Sequence, residues 1–232
     1  MKTETRDKLK TVSVATIATA LFKRGLRGQV IQGVHPIGHT GENMVGPAFT
    51  LRYMPARGDR NQLSEFRNPK HPQRVAIEQC PPGHVMVIDS RKDARAASAG
   101  DILITRLIMR GGAGIVTDGG FRDAVRIGEL AMPAYHSRPS SPTNLTLHEA
   151  IEIDGPIGCG DAPVFPGDII VGDADCVIVI PAEIADETVE MTAYEDFVVE
   201  KVRQGETIIG LYPATNEAHL AAFAQWRKQN GR

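Results

Sequence analysis

The chain of 232 residues predicts an α/β fold with parallel strand pairing, and three observations carry that prediction. Between residues 84 and 119 an apolar run, HVMVIDS, is followed by the helix-periodic stretch ILITRLIM and a second apolar run, AGIVTDG. Strand, helix, strand in that order calls for a crossover that brings the strands together in parallel. The second run leads into Gly-Gly-Phe-Arg-Asp at 119–123, which sets an arginine and a carboxylate at the carboxyl end of a strand, where open α/β sheets place their ligand sites. Hydrophobic residues make up 42% of the chain, enough to bury a sizeable core in a single domain over 1–232.

The elements follow from local pattern. Val14, Ile17, Ala18, Leu21 and Phe22 fall on one stripe, so residues 12–24 form an amphipathic N-terminal helix that Gly25 ends. From Gln29 to Arg52, short apolar runs broken by Gly and Pro predict strands joined by tight turns. Residues 54–72 are polar, rich in Pro and charge, and without period; they form a long insertion that is either mobile or functional, in the second case covering a site or clasping a neighbouring subunit. VAIEQC makes a short helix, and Pro81-Pro82-Gly83 delivers the chain into HVMVIDS. A helix runs from about Asp101 to Arg110, Gly111 and Gly112 stop it, and a further short helix spans Arg122 to Leu130.

After Pro133 the chain turns strand-rich, with AYHS, LHEAIEID and then PGDIIVGDADCVIVIP, whose two apolar runs predict a hairpin or barrel corner at Asp173-Ala174-Asp175. Residues 183–204, with Val189, Ala193, Phe197 and Val198, make a long amphipathic helix, and NEAHLAAFAQWRKQ adds a C-terminal helical extension.

A net charge of -2 supplies no field to gather nucleic acid or anionic membrane, and the basic stretches 23–28 and 67–74 lack the aromatics that stack bases. With no apolar run long enough to span a bilayer and no convincing cleavage signal, a cytoplasmic protein is expected. Cys80, Cys159 and Cys176 are too widely spaced for a zinc site and read as reduced, structural thiols. His35 and His39 are four apart, but Pro36 and Gly38 break the helix that would align them. No GxSxG frames Ser98 or Ser137 as a nucleophile. Gly111 to Gly114 precede a strand instead of linking strand to helix, which removes the dinucleotide-loop reading.

The chemistry therefore concentrates at 100–103 and 118–123. Gly100 lets backbone approach a ligand closely, and Asp101 opens the helix ILITRLIM; its carboxylate caps the first-turn amides, or those amides receive a ligand's carboxylate. Arg122 suits a bidentate grip on a carboxylate, and Asp123 suits a hard cation such as Mg²⁺ or Mn²⁺. Against this stands a buried Arg122–Asp123 ion pair that merely locks the turn, with Asp118 bonding nearby amides. Glu195 and Glu200, on the late helix, serve solvent or salt bridges, or complete an outer metal shell from a neighbouring subunit.

The segments Gly100-Asp101-Ile102-Leu103, GGAGIVTDGGFRD and PGDIIVGDADCVIVIP, with GLYP at 210–213, resemble the RraA-like proteins over roughly residues 12–215. That family includes the regulator of ribonuclease E activity and the class II 4-hydroxy-4-methyl-2-oxoglutarate/4-carboxy-4-hydroxy-2-oxoadipate aldolases. The resemblance implies a swivelling β/β/α sandwich of the phosphohistidine-domain type, assembled as a homotrimer or hexamer with sites near subunit boundaries. It implies that Gly100, Asp101, Ile102 and Leu103 bind pyruvate through backbone amides, that Arg122 orients the keto acid, and that Asp123 ligates Mg²⁺ or Mn²⁺. The implied activity is metal-assisted retro-aldol cleavage of a 4-hydroxy-2-oxo acid to pyruvate, with oxaloacetate decarboxylation by the same enolate chemistry. The alternatives are a non-catalytic, protein-binding regulator of ribonuclease E and a hydratase or dehydratase acting on a sugar-derived acid. The chain departs from the aldolase pattern at Arg126, where an acidic residue is usual; a cation there repels the metal or receives an extra carboxylate or phosphate.

Overall fold

The computed structural model describes residues 1–38 and 41–230; His39 lies outside the described residues. Its helices are α1 (Thr3–Leu9), α2 (Val14–Lys23), α3 (Pro72–Gln79), α4 (Asp101–Met109), α5 (Ala124–Gly128), α6 (Ala185–Arg203) and α7 (Glu217–Asn230). The strands begin with β1 (Val30–Ile31), β2 (His35–Ile37), β3 (Met44–Pro55), β4 (Val85–Asp89), β5 (Ala97–Ala99), β6 (Gly114–Thr117) and β7 (Gly120–Phe121). They continue with β8 (Ala134–His136), β9 (Arg138–Pro139), β10 (His148–Ile153), β11 (Ile157–Cys159), β12 (Ala162–Val164), β13 (Ile169–Gly172) and β14 (Val177–Ile180).

The main sheet has the order β1-β14-β13-β3-β4-β6-β8-β2, with β10 also paired to β3. Strand β3 is its spine. Met44 to Pro47 pair antiparallel with β13, Ala48 to Arg52 pair parallel with β4, and the carboxyl half pairs antiparallel with β10. The expected parallel pair is β4 and β6, which β3 and β8 extend on either side as further parallel neighbours, and the expected corner at 173–175 is the β13–β14 hairpin. Asp173 closes that hairpin by accepting the amides of Asp175 and Cys176, and its other oxygen accepts the Val14 amide at the start of α2.

Strand alternation shows how the sheet is buried on both faces. Met86, Ile88 and Ile115 face the layer of α3, α4 and α5, while their neighbours Val85, Val87 and Val116 join the concave interior, which the β11–β12 hairpin fills with Ile157 and Val164. Along β13 and β14, Ile169, Val171, Ile178 and Ile180 pack against α1, α2 and α6, and Ile170, Val177 and Val179 turn into the same interior. The result is a curled, mixed sheet faced by helices.

Three strands carry the chain beyond the main sheet. After β4, β6 and β8, the chain enters β5, β7 and β9, which form a second, all-parallel sheet in that order. Several local expectations shift. α1 precedes the expected first helix; α3 begins at Pro72, a residue pre-shaped for the first helical position; and the helix expected over 122–130 is the short α5. The 54–72 insertion is docked. Its first two residues finish β3, Leu63–Arg67 form a 3₁₀ helix, and the Asn61 side chain and the Ala56 amide donate to the carbonyls of His148 and Leu147. Among the described residues no helix is long and apolar enough to cross a membrane.

Candidate active site

The chemistry-bearing residues gather at the carboxyl end of the small sheet. Ala99 ends β5 and Gly100 follows it; Phe121 ends β7 and Arg122-Asp123 follow it. Because β5 and β7 are hydrogen-bonded neighbours, with the Arg122 amide also donating to the Ala99 carbonyl at 3.0 Å, the two segments stand side by side. The rule that α/β ligands sit at strand carboxyl ends holds here one sheet further on than expected, because Gly120-Phe121 forms a strand and not a turn.

Gly119 and Gly120 are therefore needed for approach, not for a sharp turn. A Cβ on Gly119 would lie 2.6 Å from the Ser90 Cβ, and one on Gly120 would lie 2.5 Å from the Ser140 Cβ. Behind them the Ser90, Ser98 and Thr117 hydroxyls close a fully buried triangle with edges of 2.6, 2.8 and 3.1 Å, which leaves Ser98 no role as an exposed nucleophile. The Tyr53 hydroxyl and the Gln73 amide both donate to the Ser98 carbonyl, fixing the backbone that leads to Gly100.

Gly100 is the cap residue of α4, and a Cβ there would stand 3.1 Å from Asp123 Oδ2, so the backbone and the carboxylate face each other closely. Asp101 is the first helical residue and not the cap. Its Oδ1 accepts the adjacent Ile102 amide at 2.8 Å, and its Oδ2 pairs with Arg126 at 3.3 Å. The first helical bond runs from the Ile104 amide to the Gly100 carbonyl, so the amides of Asp101 and Leu103 are the first-turn donors that Asp101 leaves to a ligand. Arg126, the departure noted in the sequence, thus spends its charge on Asp101.

Asp123 sits in the left-handed region at φ 57°, ψ 34°, a conformation that Asp tolerates better than most residues and that often marks functional sites. Its Oδ2 lies 3.8 Å from Arg122 Nε, and the two side chains are 38% and 48% exposed. This is a loose, open pair, unlike the buried lock that the structural alternative required. On one side of it lies a cleft of about 290 Å³ lined by Phe66, Gln73, Arg74, Ile102, Leu103 and Asn144; on the other a cleft of about 440 Å³ reaches Val125, Arg126 and Ser140. Phe66, Arg74 and Asn144 were not singled out in the sequence, since nothing local to 66, 74 or 144 marks them as neighbours of 122.

Among the described residues no three His, Cys, Asp or Glu side chains cluster to hold a metal. The donor set nevertheless suits Mg²⁺ or Mn²⁺, because Asp123 offers a half-exposed carboxylate that, among the described residues, only Arg122 engages as an ion pair; such ions are commonly held by one or two carboxylates with water and substrate completing the shell. Glu195 and Glu200 have partners within the chain, the Tyr212 hydroxyl and the Trp226 indole nitrogen. Cys80, Cys159 and Cys176 are free thiols.

His136, at the end of β8, stacks on Phe121 with ring centroids 5.8 Å apart and is only 7% exposed, its Nδ1 without a partner among the described residues. Burial, and then His35 opposite it in the β2–β8 register, push its pKa from 6.5 down to about 4. Between those values the unfolded chain binds a proton that the folded one refuses. The stabilisation is thus complete above the ordinary histidine range and declines as pH falls toward the folded value, by on the order of 2 kcal/mol near pH 5. Urea unfolding at about pH 7.5 and pH 5 checks this: the acid loss should shrink in His136→Phe, and an undiminished loss assigns the effect to other groups.

A curled mixed sheet with helices packed against it, extended by a small parallel sheet, defines the half-barrel α/β fold of the RraA and phosphohistidine-domain type. The chain belongs to the RraA-like family, whose Aldolase/RraA model matches residues 14–179. Streptomyces coelicolor RraAS2, described as an unusual member of the RNase ES inhibitor RraA protein family, superimposes with a TM-score of 0.76 at 28% identity, covering 89% of this chain and 98% of that one. An uncharacterized Pseudomonas syringae protein shares the fold with a TM-score of 0.75 at 21% identity, covering 91% of this chain and 98% of its own. A Halalkalibacterium halodurans protein, named as a candidate 4-hydroxy-4-methyl-2-oxoglutarate aldolase, is 33% identical over 168 residues, 72% of this chain and 73% of that relative.

Proposed function

We propose that this chain is a divalent-metal-dependent lyase acting on a 2-keto acid, cleaving a 4-hydroxy-2-oxo acid to release pyruvate and decarboxylating oxaloacetate by the same chemistry. The observation that carries this reading is the juxtaposition of Arg122 and Asp123 with the start of α4 at the mouth of one cleft. The name of the H. halodurans relative supports it. The Asp101 and Leu103 amides, at the positive end of the helix, take the keto acid's carboxylate. Arg122 sets its guanidinium toward the keto oxygen, and Asp123 holds the ion. Held by Asp123, Mg²⁺ or Mn²⁺ would supply Lewis acidity toward the keto acid. In cleavage the C4 hydroxyl gives its proton to a base or water and becomes a carbonyl, the C3–C4 electron pair passes into the pyruvate fragment as an enolate that takes a proton from water at C3, and Arg122 places positive charge where negative charge develops.

The clefts lie next to exposed apolar side chains, Ile102 at 79% and Val125 at 81%, which a neighbouring copy in a homotrimer or hexamer would cover. A second reading, a protein-binding regulator of ribonuclease E, draws on the 28% identity to RraAS2. Pyruvate release from a panel of 4-hydroxy-2-keto acids and oxaloacetate, with Mg²⁺ or Mn²⁺ against EDTA, separates the two. Metal-dependent turnover is expected; a folded, metal-loaded protein inert across the panel sinks the lyase reading and favours the regulator.

A further inference from the structure

The cleft that Arg122 lines is also lined by the insertion and the helix after it. Phe66, from the 3₁₀ turn, lines the cleft, and its carbonyl accepts from Arg74 Nη1 at 2.5 Å. That bond leaves most of the guanidinium's donors unused. Arg106 of α4 and Arg110 just after it share Glu78, whereas half-buried Arg74 has no ion pair with a carboxylate among the described residues. A guanidinium with most of its donors free is available to an anion that enters the cleft. Beside it in the same cleft, Asn144 is 7% exposed; its Oδ1 accepts from the Thr143 hydroxyl, but its Nδ2 is buried without a partner among the described residues. Buried donors of this kind are ordinarily completed by a ligand or an ordered water. Arg74 and Asn144 line the same cleft as Leu103 and Arg122, and its volume of about 290 Å³, roughly ten times the ~30 Å³ a water occupies in the liquid, leaves room beyond a pyruvate unit.

We infer that Arg74, steadied by the Phe66 carbonyl and assisted by Asn144, forms a second anion-binding subsite that reads a carboxylate at the far end of the substrate. The inference rests on the keto-acid reading of Arg122 and Asp123, and under it the 54–72 insertion serves to present a specificity wall. Arginine suits this position because its planar fork meets a carboxylate at two points.

Binding of 2-ketoglutarate and 2-ketobutyrate, measured calorimetrically on the full chain with Mg²⁺, tests it without turnover. The two acids share the keto-acid head and differ in the distal charge. The wild type should bind the diacid at least about tenfold more tightly, a difference of ~1.4 kcal/mol. Arg74→Met, which keeps the aliphatic stem, should erase that preference while leaving 2-ketobutyrate within about twofold. Arg74→Lys should restore part of it, and Asn144→Ala should lose part. Equal binding of the two acids by the wild type, or a preference that survives in a folded Arg74→Met protein, overturns the Arg74 assignment alone. Failure of the wild type to bind either acid overturns the keto-acid reading and this subsite with it.

Discussion

Asp123→Asn is expected to lower kcat for metal-dependent pyruvate release by about 10³-fold or more while leaving the melting midpoint within a few degrees of the parent. Asn is the informative replacement. Asp123 occupies the left-handed region, which Asn shares with Asp but which alanine enters only with strain, so Asp123→Ala would mix a backbone penalty into the kinetic loss. Among the described residues the side chain's only ion-pair contact is Arg122 at 3.8 Å, so losing the charge leaves no buried partner stranded. The amide keeps an oxygen of similar position but loses the negative charge that holds a divalent ion. Mn²⁺ titration followed by electron paramagnetic resonance should therefore show weakened binding in parallel with the kinetic loss. A variant with kcat near the parent's and undiminished Mn²⁺ affinity would remove Asp123 from the site.

How far this site was readable in the sequence depends on the range of each interaction. The start of α4 and the run from Gly114 to Asp123 were legible because their signals are local: a glycine before an apolar helix, and an apolar strand ending in glycines. The β13–β14 hairpin was legible for the same reason. The small sheet was not, since strands as short as Gly120–Phe121 and Arg138–Pro139 carry no period to detect, and they form only because β4, β6 and β8 already lie side by side. Gly119 illustrates the gap. Its residue type announces backbone freedom, but what demands glycine is Ser90, brought against it by the pairing of β4 with β6. Arg74 and Asn144 reach the cleft by tertiary packing, and the lack of a partner for the Asn144 amide nitrogen among the described residues is visible only once the neighbours are placed.

The largest stability loss is expected from Asp118→Ala, about 3 kcal/mol, a figure set by what its carboxylate holds together. Asp118 is 2% exposed; its Oδ1 accepts the Ser90 amide at 2.7 Å, and its Oδ2 accepts those of Lys92 at 3.0 Å and Gly160 at 3.2 Å. One side chain thus joins the end of β6 to the loop before β5 and to the turn between β11 and β12. Alanine would leave three amides without their acceptor, each costing about 1–3 kcal/mol if kept from water, less the expense of burying the carboxylate itself. That expense is evident in its acidity: burial pushes the pKa above the usual 3.8, the Ser90 and Gly160 amides pull it down, and Asp89 pushes it up again. A carboxyl with a raised folded pKa contributes most below its unfolded value and loses that contribution as pH rises through the folded one, so Asp118 does not explain acid unfolding and His136 does so better. Arg91 and Lys92 stand in the left-handed region at φ 59° and 58°, a conformation the Lys92–Asp118 bond helps to hold, and the same loop continues to Gly100. The variant should therefore weaken keto-acid binding as well as lower the urea midpoint. Unchanged affinity in a destabilised protein would show that the loop reaches Gly100 without help from Asp118.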